Sequence, residues 1–338
     1  MIPIQYRGTC DKQLDIFCNK LQKKIATWLA KGYVGDGRGV VVMNSAARRY
    51  FTQLNMPDAI KTLVNKSPAD IRSYISDMER DYPVLAADRT AKEHDPRAIV
   101  SRLYQCIEKA FSNYGYDSDT FPKDEIQEDL GLAACPYCNR NFIKVIKVTN
   151  RKGVVESGPK GQLDHFFPRS LYPYLAICKY NLVPCCPTCN GTSGKHNKDT
   201  RAKGVVSPYE LQNAEGLKFK MKVRGGEILN LEHCAQGIYI SVDTSLNPNM
   251  DNNEDMFHLK QIYQTHTDYA AEMYIKKMMK ENGIYLHATK GMLKKHRINL
   301  TNDDVRRILH GFYTNSDDFS KRPLSKFRMD LAKDVGLL

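Results

Sequence analysis

The sequence predicts an α+β fold with three regions. These are a mainly helical N-terminal region (residues 1–130), a central core braced by paired cysteines (131–200), and a C-terminal small sheet with helices (201–338). In the first region, apolar residues recur at three- and four-residue steps, as on the buried face of a helix. The central region is rich in strand formers, prolines and cysteines, and the last begins with strand formers before helical periodicity returns.

The N-terminal region is predicted to be a helical packing or partner-docking unit, because it carries no catalytic motif. Its glycines between positions 32 and 39 are expected to form a flexible connection after the first helix. Predicted helices cover Lys12–Lys31, Asn44–Leu54, Asp58–Asn65, a segment capped by Ser67-Pro68, and a segment opened by Asp95-Pro96 with Ile99 on its apolar face.

The central and C-terminal regions are predicted to contain short strands followed by helices. Turns are expected at Asn150–Gly153 and Gly225-Gly226, and a basic run at Lys290–Arg297 reads as a solvated face or a phosphate contact. The predicted strands are Phe142–Thr149, Val154-Val155, Leu217–Val223, Glu227–Leu231 and Gly237–Val242. The predicted helices are Cys189–Lys198, Phe257–Lys280 and one capped by Thr301 that runs to Gly311.

Composition limits the class of protein. The chain has 338 residues, of which 42% are hydrophobic and 26% charged, as in ordinary globular proteins. No apolar run approaches the roughly 20 residues of a membrane helix, and the first residues lack a signal peptide's apolar stretch. We therefore expect no membrane partner and a cytoplasmic location. The net charge of +12 is consistent with a solvated basic surface or with a nucleic-acid partner, and it does not distinguish DNA from RNA.

Two C-x-x-C pairs predict a structural zinc site. Cys135 with Cys138 and Cys186 with Cys189 can supply four sulfur ligands to a tetrahedral ion, giving a zinc-stapled core. Cys185 could replace its neighbour, but the two-residue spacing to Cys189 favours Cys186. The remaining scattered cysteines are expected to be small buried apolar residues.

The first pair, Cys135-Pro136-Tyr137-Cys138, also matches the active-site motif of glutaredoxins. That redox motif should follow a strand and open a helix. Here a predicted strand follows the cysteines instead, and a second pair is present to complete a metal site, so zinc is the favoured interpretation.

Between the two cysteine pairs stand residues suited to hydrolytic chemistry. Asp164-His165 is followed by Asn181, and Asn190 comes directly after the second pair. Over Cys135–Lys198 this order resembles the HNH endonuclease superfamily. The resemblance implies a ββα-metal core, in which a two-stranded ribbon and a helix surround one divalent metal ion.

The resemblance also implies a role for each of these residues. His165 would take a proton from the attacking water, which a neutral imidazole can do. Asp164 and Asn190 would bind the catalytic Mg²⁺ or Mn²⁺, which prefers oxygen ligands. Asn181 would hold the ribbon and help orient the histidine. The superfamily motif has histidine where this chain has Asn190, so His196 or Asn197 remains an alternative ligand.

The segment Leu163–Ala176, with Tyr180–Pro184, looks like the HNH nuclease subunit of Septu-type antiphage defence systems. Those subunits work beside an ATPase of the SMC/ABC type, so the resemblance implies an effector nuclease controlled by such a partner. This chain has no G-x-x-x-x-G-K-[ST] loop, so any ATP hydrolysis is expected from another chain. The alternatives are a nuclease that acts on RNA such as tRNA, a stand-alone HNH restriction enzyme, and a non-catalytic zinc module that binds nucleic acid.

Overall fold

The computed structural model describes residues 1–37, 39–224, 234–280, 288, 291–292 and 301–338. Among them, helices and small antiparallel sheets form an α+β fold, as predicted. The helices are α1 (Asp11–Lys31), α2 (Ser45–Leu54), α3 (Ala59–Val64), α4 (Pro68–Asp81), α5 (Pro83–His94), α6 (Arg102–Glu108), α7 (Lys123–Leu130), α8 (Pro187–Asn190), α9 (Met250–Phe257), α10 (Leu259–Gln264), α11 (Thr267–Lys280), α12 (Asn302–His310) and α13 (Ser325–Asp334). The strands are β1 (Tyr33–Val34), β2 (Val41–Val42), β3 (Lys147–Thr149), β4 (Val155–Ser157), β5 (Gln162–His165), β6 (Leu182–Cys185), β7 (Lys218–Val223) and β8 (Ile238–Asp243).

The first four predicted helices are confirmed. Helix α1 buries one apolar stripe, and α2 begins after Asn44, whose side chain accepts a hydrogen bond from the backbone of Ala47. Helix α4 begins after the predicted cap Ser67 and carries a capping box, in which Ser67 and Asp70 satisfy each other's backbone N–H groups.

One expectation for the first region is wrong. No helix opens at Asp95-Pro96: the Asp95 carboxylate instead accepts a hydrogen bond from the Arg97 backbone N–H, which closes a local turn. Ile99 is 96% exposed, and the helix begins only after Ser101, whose hydroxyl caps Tyr104 N–H. The glycines lie at the end of α1 and between β1 and β2, which pair as an antiparallel hairpin, and their flexibility stays a prediction.

In the central region, β3 and β4 pair as an antiparallel hairpin across the predicted turn. The predicted strand from Phe142 is mostly wrong, because only Lys147–Thr149 is extended into the hairpin. The predicted helix Cys189–Lys198 is also wrong, because α8 ends at Asn190. The chain then folds back on itself, so that Lys195 N–H bonds the Cys189 carbonyl and His196 adopts a left-handed conformation with φ of 44°.

The C-terminal region begins with the antiparallel pair β7–β8, which confirms two predicted strands. The turn Gly225-Gly226 and the strand Glu227–Leu231 lie outside the described residues, as does the basic run Lys290–Arg297 apart from residues 291 and 292. The prediction of a single helix over Phe257–Lys280 is wrong, because His258 has φ of 50° and separates α9 from α10. The helix capped by Thr301 is confirmed as α12.

One buried apolar cluster includes residues of all three predicted regions, among them Trp28, Tyr137 and Phe327. The division of the chain into three regions at residues 130 and 200 stays a prediction. Among the described helices, none is both long and apolar enough to cross a membrane.

Candidate active site and cysteine cluster

The candidate site is built on the ribbon of β5 and β6, with the short helix α8 directly after it. The two strands are antiparallel, with Asp164 opposite Val183 and His165 opposite Leu182. This order of two strands and a helix is the one that the resemblance implies.

Asn181 fixes the long connection between the two strands. Its side-chain Oδ1 accepts a hydrogen bond from Phe167 N–H at 2.7 Å, and its Nδ2 donates to the carbonyls of Phe167 and Leu175 at 3.1 and 3.2 Å. The residue is fully buried, so these bonds satisfy an amide that burial would otherwise penalise. Its backbone carbonyl also accepts the Phe166 N–H, which places it next to the end of β5.

His165 lies at the end of β5 with its imidazole orientation set by the protein. Its Nε2 is 2.9 Å from the Ala176 carbonyl oxygen, and because that oxygen can only accept, Nε2 carries the hydrogen. In the neutral ring, Nδ1 is then the basic nitrogen. The residue is only 8% exposed, and burial lowers the pKa of His165 to about 3, so the ring is neutral at neutral pH.

Positive charge surrounds one side of this histidine. The Tyr116 ring packs edge-on against the imidazole with centroids 4.4 Å apart. Over that tyrosine lie two cations: the Arg169 guanidinium at 5.3 Å from the ring centroid and the Lys123 ammonium at 4.6 Å. Arg169 also donates to both carboxylate oxygens of Asp117 at 2.9 Å, which fixes its position.

Asp164 is 4% exposed and has two side-chain partners. Its Oδ2 accepts the Tyr137 hydroxyl proton at 2.7 Å, and its Oδ1 accepts from the Lys195 ammonium at 2.9 Å. Lys195 is fully buried and directs its other two donors at the carbonyls of His165 and His196, at 2.6 and 3.3 Å. All three ammonium protons are therefore used.

The sequence does not predict the contacts of Tyr137 and Lys195. A tyrosine between two cysteines carries no sequence signal for a contact with Asp164. Lys195 follows Gly194, and a glycine next to a charged residue indicates only a turn. The contacts of both residues depend on chain reversals that the sequence does not show.

Asn190 ends α8, and its Nδ2 donates to Gln162 Oε1 at 2.9 Å. Because side chains alternate along a strand, Gln162 and Asp164 lie on the same face of β5, so Asn190 contacts the face that carries Asp164. His196 and Asn197 are exposed after the chain reversal. The metal-ligand roles of these residues stay predictions.

The four predicted cysteine ligands form one buried cluster. The sulfur atoms of Cys135, Cys138, Cys186 and Cys189 all lie within 4.8 Å of one another, and those of Cys138 and Cys186 are 3.9 Å apart. Around a zinc ion with bonds of about 2.3 Å, tetrahedral sulfurs would be about 3.8 Å apart, so the cluster fits a metal ion such as zinc.

Backbone N–H groups point at the sulfurs of this cluster. Arg140 N–H donates to Cys138 Sγ at 3.3 Å, and Cys186 N–H donates to Cys135 Sγ at 3.4 Å. Asn139, directly after the first pair, has φ of 53° and turns the chain so that the next N–H, that of Arg140, meets Cys138 Sγ. Such donors stabilise thiolates, the form of cysteine that binds metal.

The cluster contains Cys186, as the spacing predicted, and Cys185 is buried outside it. The expectation of buried scattered cysteines is confirmed for Cys10, Cys18, Cys106 and Cys178, while the Cys234 side chain lies outside the described part. Residues 135–138 form a turn and open no helix, unlike the glutaredoxin motif.

Comparison with curated proteins finds a partial relative. The chain is 36% identical over 47 residues to the Septu protein PtuB of Bacillus thuringiensis, a match that covers 14% of this chain and 18% of that protein. The matched segment thus represents less than a fifth of the relative's length. No protein-family model matches the chain. No solved structure matches it.

Proposed function

We propose that this protein is a divalent-metal-dependent HNH endonuclease that hydrolyses phosphodiester bonds of DNA. The observation that carries the proposal is the fixed tautomer of His165, whose Nε2 is held by the Ala176 carbonyl and whose Nδ1 is left as a base. Its neighbour along β5 is the buried carboxylate of Asp164. Ribbon, histidine and carboxylate together are the parts that the HNH resemblance requires.

His165 acts on the proton of the attacking water. Its Nδ1 accepts this proton, and the Ala176 carbonyl then stabilises the imidazolium through the bond to Nε2. In the free protein, burial keeps the pKa of His165 near 3. An approaching phosphate brings negative charge to the ring and raises that pKa, which strengthens the base when substrate is present.

Asp164 and Asn190 hold the catalytic cation. A carboxylate offers about four lone-pair directions, of which Tyr137 and Lys195 use two, so ligand positions remain on Asp164. Asn190 would contribute its side-chain oxygen, because its Nδ2 already donates a hydrogen bond to Gln162. When bound, Mg²⁺ or Mn²⁺ neutralises charge on the phosphate and on the departing oxygen.

Arg169 and Lys123 contact the nucleic-acid backbone. Both cations lie over Tyr116 beside His165, where a scissile phosphate must approach. The net charge of +12 adds a long-range attraction for a polyanion. The four-cysteine cluster binds zinc and holds the turn that carries Cys135 and Cys138 against α8.

We further propose that the nuclease is the effector of an antiphage defence complex. The partial similarity to a Septu protein supports a defence role. The partner ATPase of the SMC/ABC type follows from the resemblance noted in the sequence.

The test is cleavage by the purified chain, alone and co-expressed with the products of neighbouring genes. Plasmid DNA and tRNA are incubated separately with Mg²⁺ or Mn²⁺, and the His165→Ala variant is treated in parallel. We expect metal-dependent DNA cleavage that the variant lacks. Cleavage of tRNA alone would change the substrate to RNA, and cleavage of specific DNA sites by the isolated chain would indicate a stand-alone restriction enzyme.

One observation favours a second function, a zinc module that binds nucleic acid without cutting it. Asp164 already has a buried cationic partner in Lys195, as a purely structural carboxylate would. In that case the folded, zinc-containing chain binds DNA but shows no cleavage with any metal or partner. The cleavage assay separates the two functions directly.

A further inference from the structure

A single side chain connects the cysteine cluster with the candidate catalytic carboxylate. Tyr137 stands between two members of the cluster, Cys135 and Cys138, and its hydroxyl donates to Asp164 Oδ2 at 2.7 Å. The ring is fully buried and stacks on Phe257, with centroids 4.4 Å apart and planes 21° from parallel. The hydroxyl therefore has little freedom to leave Asp164 while the surrounding backbone stays in place.

The backbone that carries Tyr137 takes its shape from the cluster. Cys135 and Cys138 direct their sulfurs to one point, and the turn between them is closed by the bond from Asn139 N–H to the Cys135 carbonyl. The carbonyl of Pro136 accepts the backbone N–H of Ile2, so the outside of this turn is covered. A metal ion that fixes the two sulfurs also fixes the tyrosine between them.

Asp164 needs this support because its carboxylate can rotate. Lys195 restrains Oδ1 and Tyr137 restrains Oδ2, so the two bonds together set the plane of the carboxylate. The direction of its remaining lone pairs, which a cation would use, is then set as well. Hydrogen bonds to metal-ligating carboxylates commonly change metal affinity or activity by about 10–100-fold.

We infer that Tyr137 is a positioning residue that transmits the geometry of the four-cysteine cluster to Asp164. The inference rests on the proposed function of Asp164 as a ligand of the catalytic cation. It makes the two metal sites of this chain energetically coupled. Coupling between binding sites is reciprocal, so a cation at Asp164 must also stabilise the cysteine cluster.

The test compares Tyr137→Phe with Tyr263→Phe. Tyr263 is also fully buried, and its hydroxyl donates to the Cys138 carbonyl, so both variants lose a buried hydroxyl at the same turn. Only Tyr137 is bonded to Asp164. For each full-length protein, zinc content is measured by elemental analysis, Tm by calorimetry, Mn²⁺ affinity by electron paramagnetic resonance, and DNA cleavage as a function of Mn²⁺.

Tyr137→Phe is expected to keep one zinc per chain while its Mn²⁺ affinity falls about tenfold or more. Tyr263→Phe should bind Mn²⁺ as the wild type does, even where its Tm is lower. A Tyr137→Phe protein with full zinc and wild-type Mn²⁺ affinity would overturn the inference, as would an equal loss of affinity in both variants. A zinc-loaded wild type that neither binds Mn²⁺ nor cleaves would instead refute the proposed function.

A second measurement needs no substitution, and it decides the matter if Tyr137→Phe does not fold. The wild type is treated with the thiol reagent DTNB, with and without saturating Mn²⁺, and the reaction of the cluster thiols is followed. Reciprocal coupling predicts a slower reaction when Mn²⁺ is bound. Equal rates at a Mn²⁺ concentration shown to saturate the protein would overturn the inference.

Discussion

The two candidate metal sites of this molecule differ in how far the protein alone assembles them. In the cysteine cluster, four sulfurs of two distant pairs lie within 4.8 Å of one another. In the oxygen site, Asp164 is bonded to Tyr137 and Lys195, and Asn190 is bonded to Gln162. One set of ligands converges on a common centre, and the other is occupied by protein partners.

The difference follows from the chemistry of the ligand atoms. A thiol is a weak hydrogen-bond partner, so buried cysteines have little to bind except one another or a soft metal. Carboxylate and amide oxygens form strong hydrogen bonds, and inside a protein they must find partners. A cluster of cysteine sulfurs can thus be part of the fold, whereas a cation that binds oxygen ligands has to compete with the hydrogen bonds that those oxygens already accept.

The largest effect should come from removing a cluster ligand. Cys138→Ser and Cys189→Ser are expected to give poorly soluble protein with little zinc, because structural zinc contributes about 10–16 kcal/mol of apparent binding free energy in small zinc peptides. Elemental analysis and soluble yield measure this. Cys185→Ser and Cys178→Ser are the controls, since both cysteines are buried outside the cluster, and both should retain zinc. Zinc lost from Cys185→Ser but kept in Cys186→Ser would reverse the ligand assignment.

The next largest effect is expected on cleavage and should be confined to the oxygen site. His165→Ala is expected to lower DNA cleavage by about 10²–10⁴-fold, the usual contribution of a general base, while the protein stays folded and keeps its zinc. The control is His94→Ala, because His94 is exposed at the end of α5. Near-wild-type turnover by a folded His165→Ala protein would remove the proposed mechanism.

The same contrast explains what could be predicted from the sequence. The members of the cysteine cluster could be predicted from spacing, because a C-x-x-C pair brings its own two sulfurs together wherever it lies and a metal site needs two such pairs. The capped helices α4 and α12 were also predictable, since Ser67 and Thr301 with their acidic partners act within four residues. Local chemistry determines both kinds of feature.

Features that depend on distant contacts could not be predicted in this way. The helix expected over Phe257–Lys280 is broken at His258, although helical periodicity continues across the break. The helix expected after Cys189 ends at Asn190 because the chain turns back to bury Lys195 against Asp164. A buried lysine is too rare for sequence patterns to indicate, and its partner lies 31 positions away.

A smaller effect is expected at the proposed ligands of the catalytic cation. Asn190→Ala should raise the Mn²⁺ concentration needed for half-maximal cleavage by about 10-fold, because one oxygen ligand is lost. Asp164→Asn keeps the size of the side chain and should also weaken Mn²⁺ binding, but it leaves the buried Lys195 ammonium without its carboxylate at a cost of about 3–5 kcal/mol, so its Tm is measured as well. Zinc should remain in both variants. If Asn190→Ala cleaves DNA with an unchanged dependence on Mn²⁺, the ligand is His196 or Asn197 instead.

The smallest effect should come from the cations beside His165, and it tests whether the oxygen site faces nucleic acid at all. Arg169 is held over Tyr116 by Asp117, so Arg169→Gln removes a positioned charge without disturbing either metal site. If Arg169 contacts one phosphate, the slope of log Kobs for DNA against log salt should decrease in magnitude by about 0.9, with a modest loss of affinity. Arg80→Gln is the control, because Arg80 is an exposed, ion-paired arginine on α4. Equal salt slopes for wild type and Arg169→Gln would show that DNA does not reach this side of His165. The cation pair over Tyr116 would then serve only to stabilise the fold.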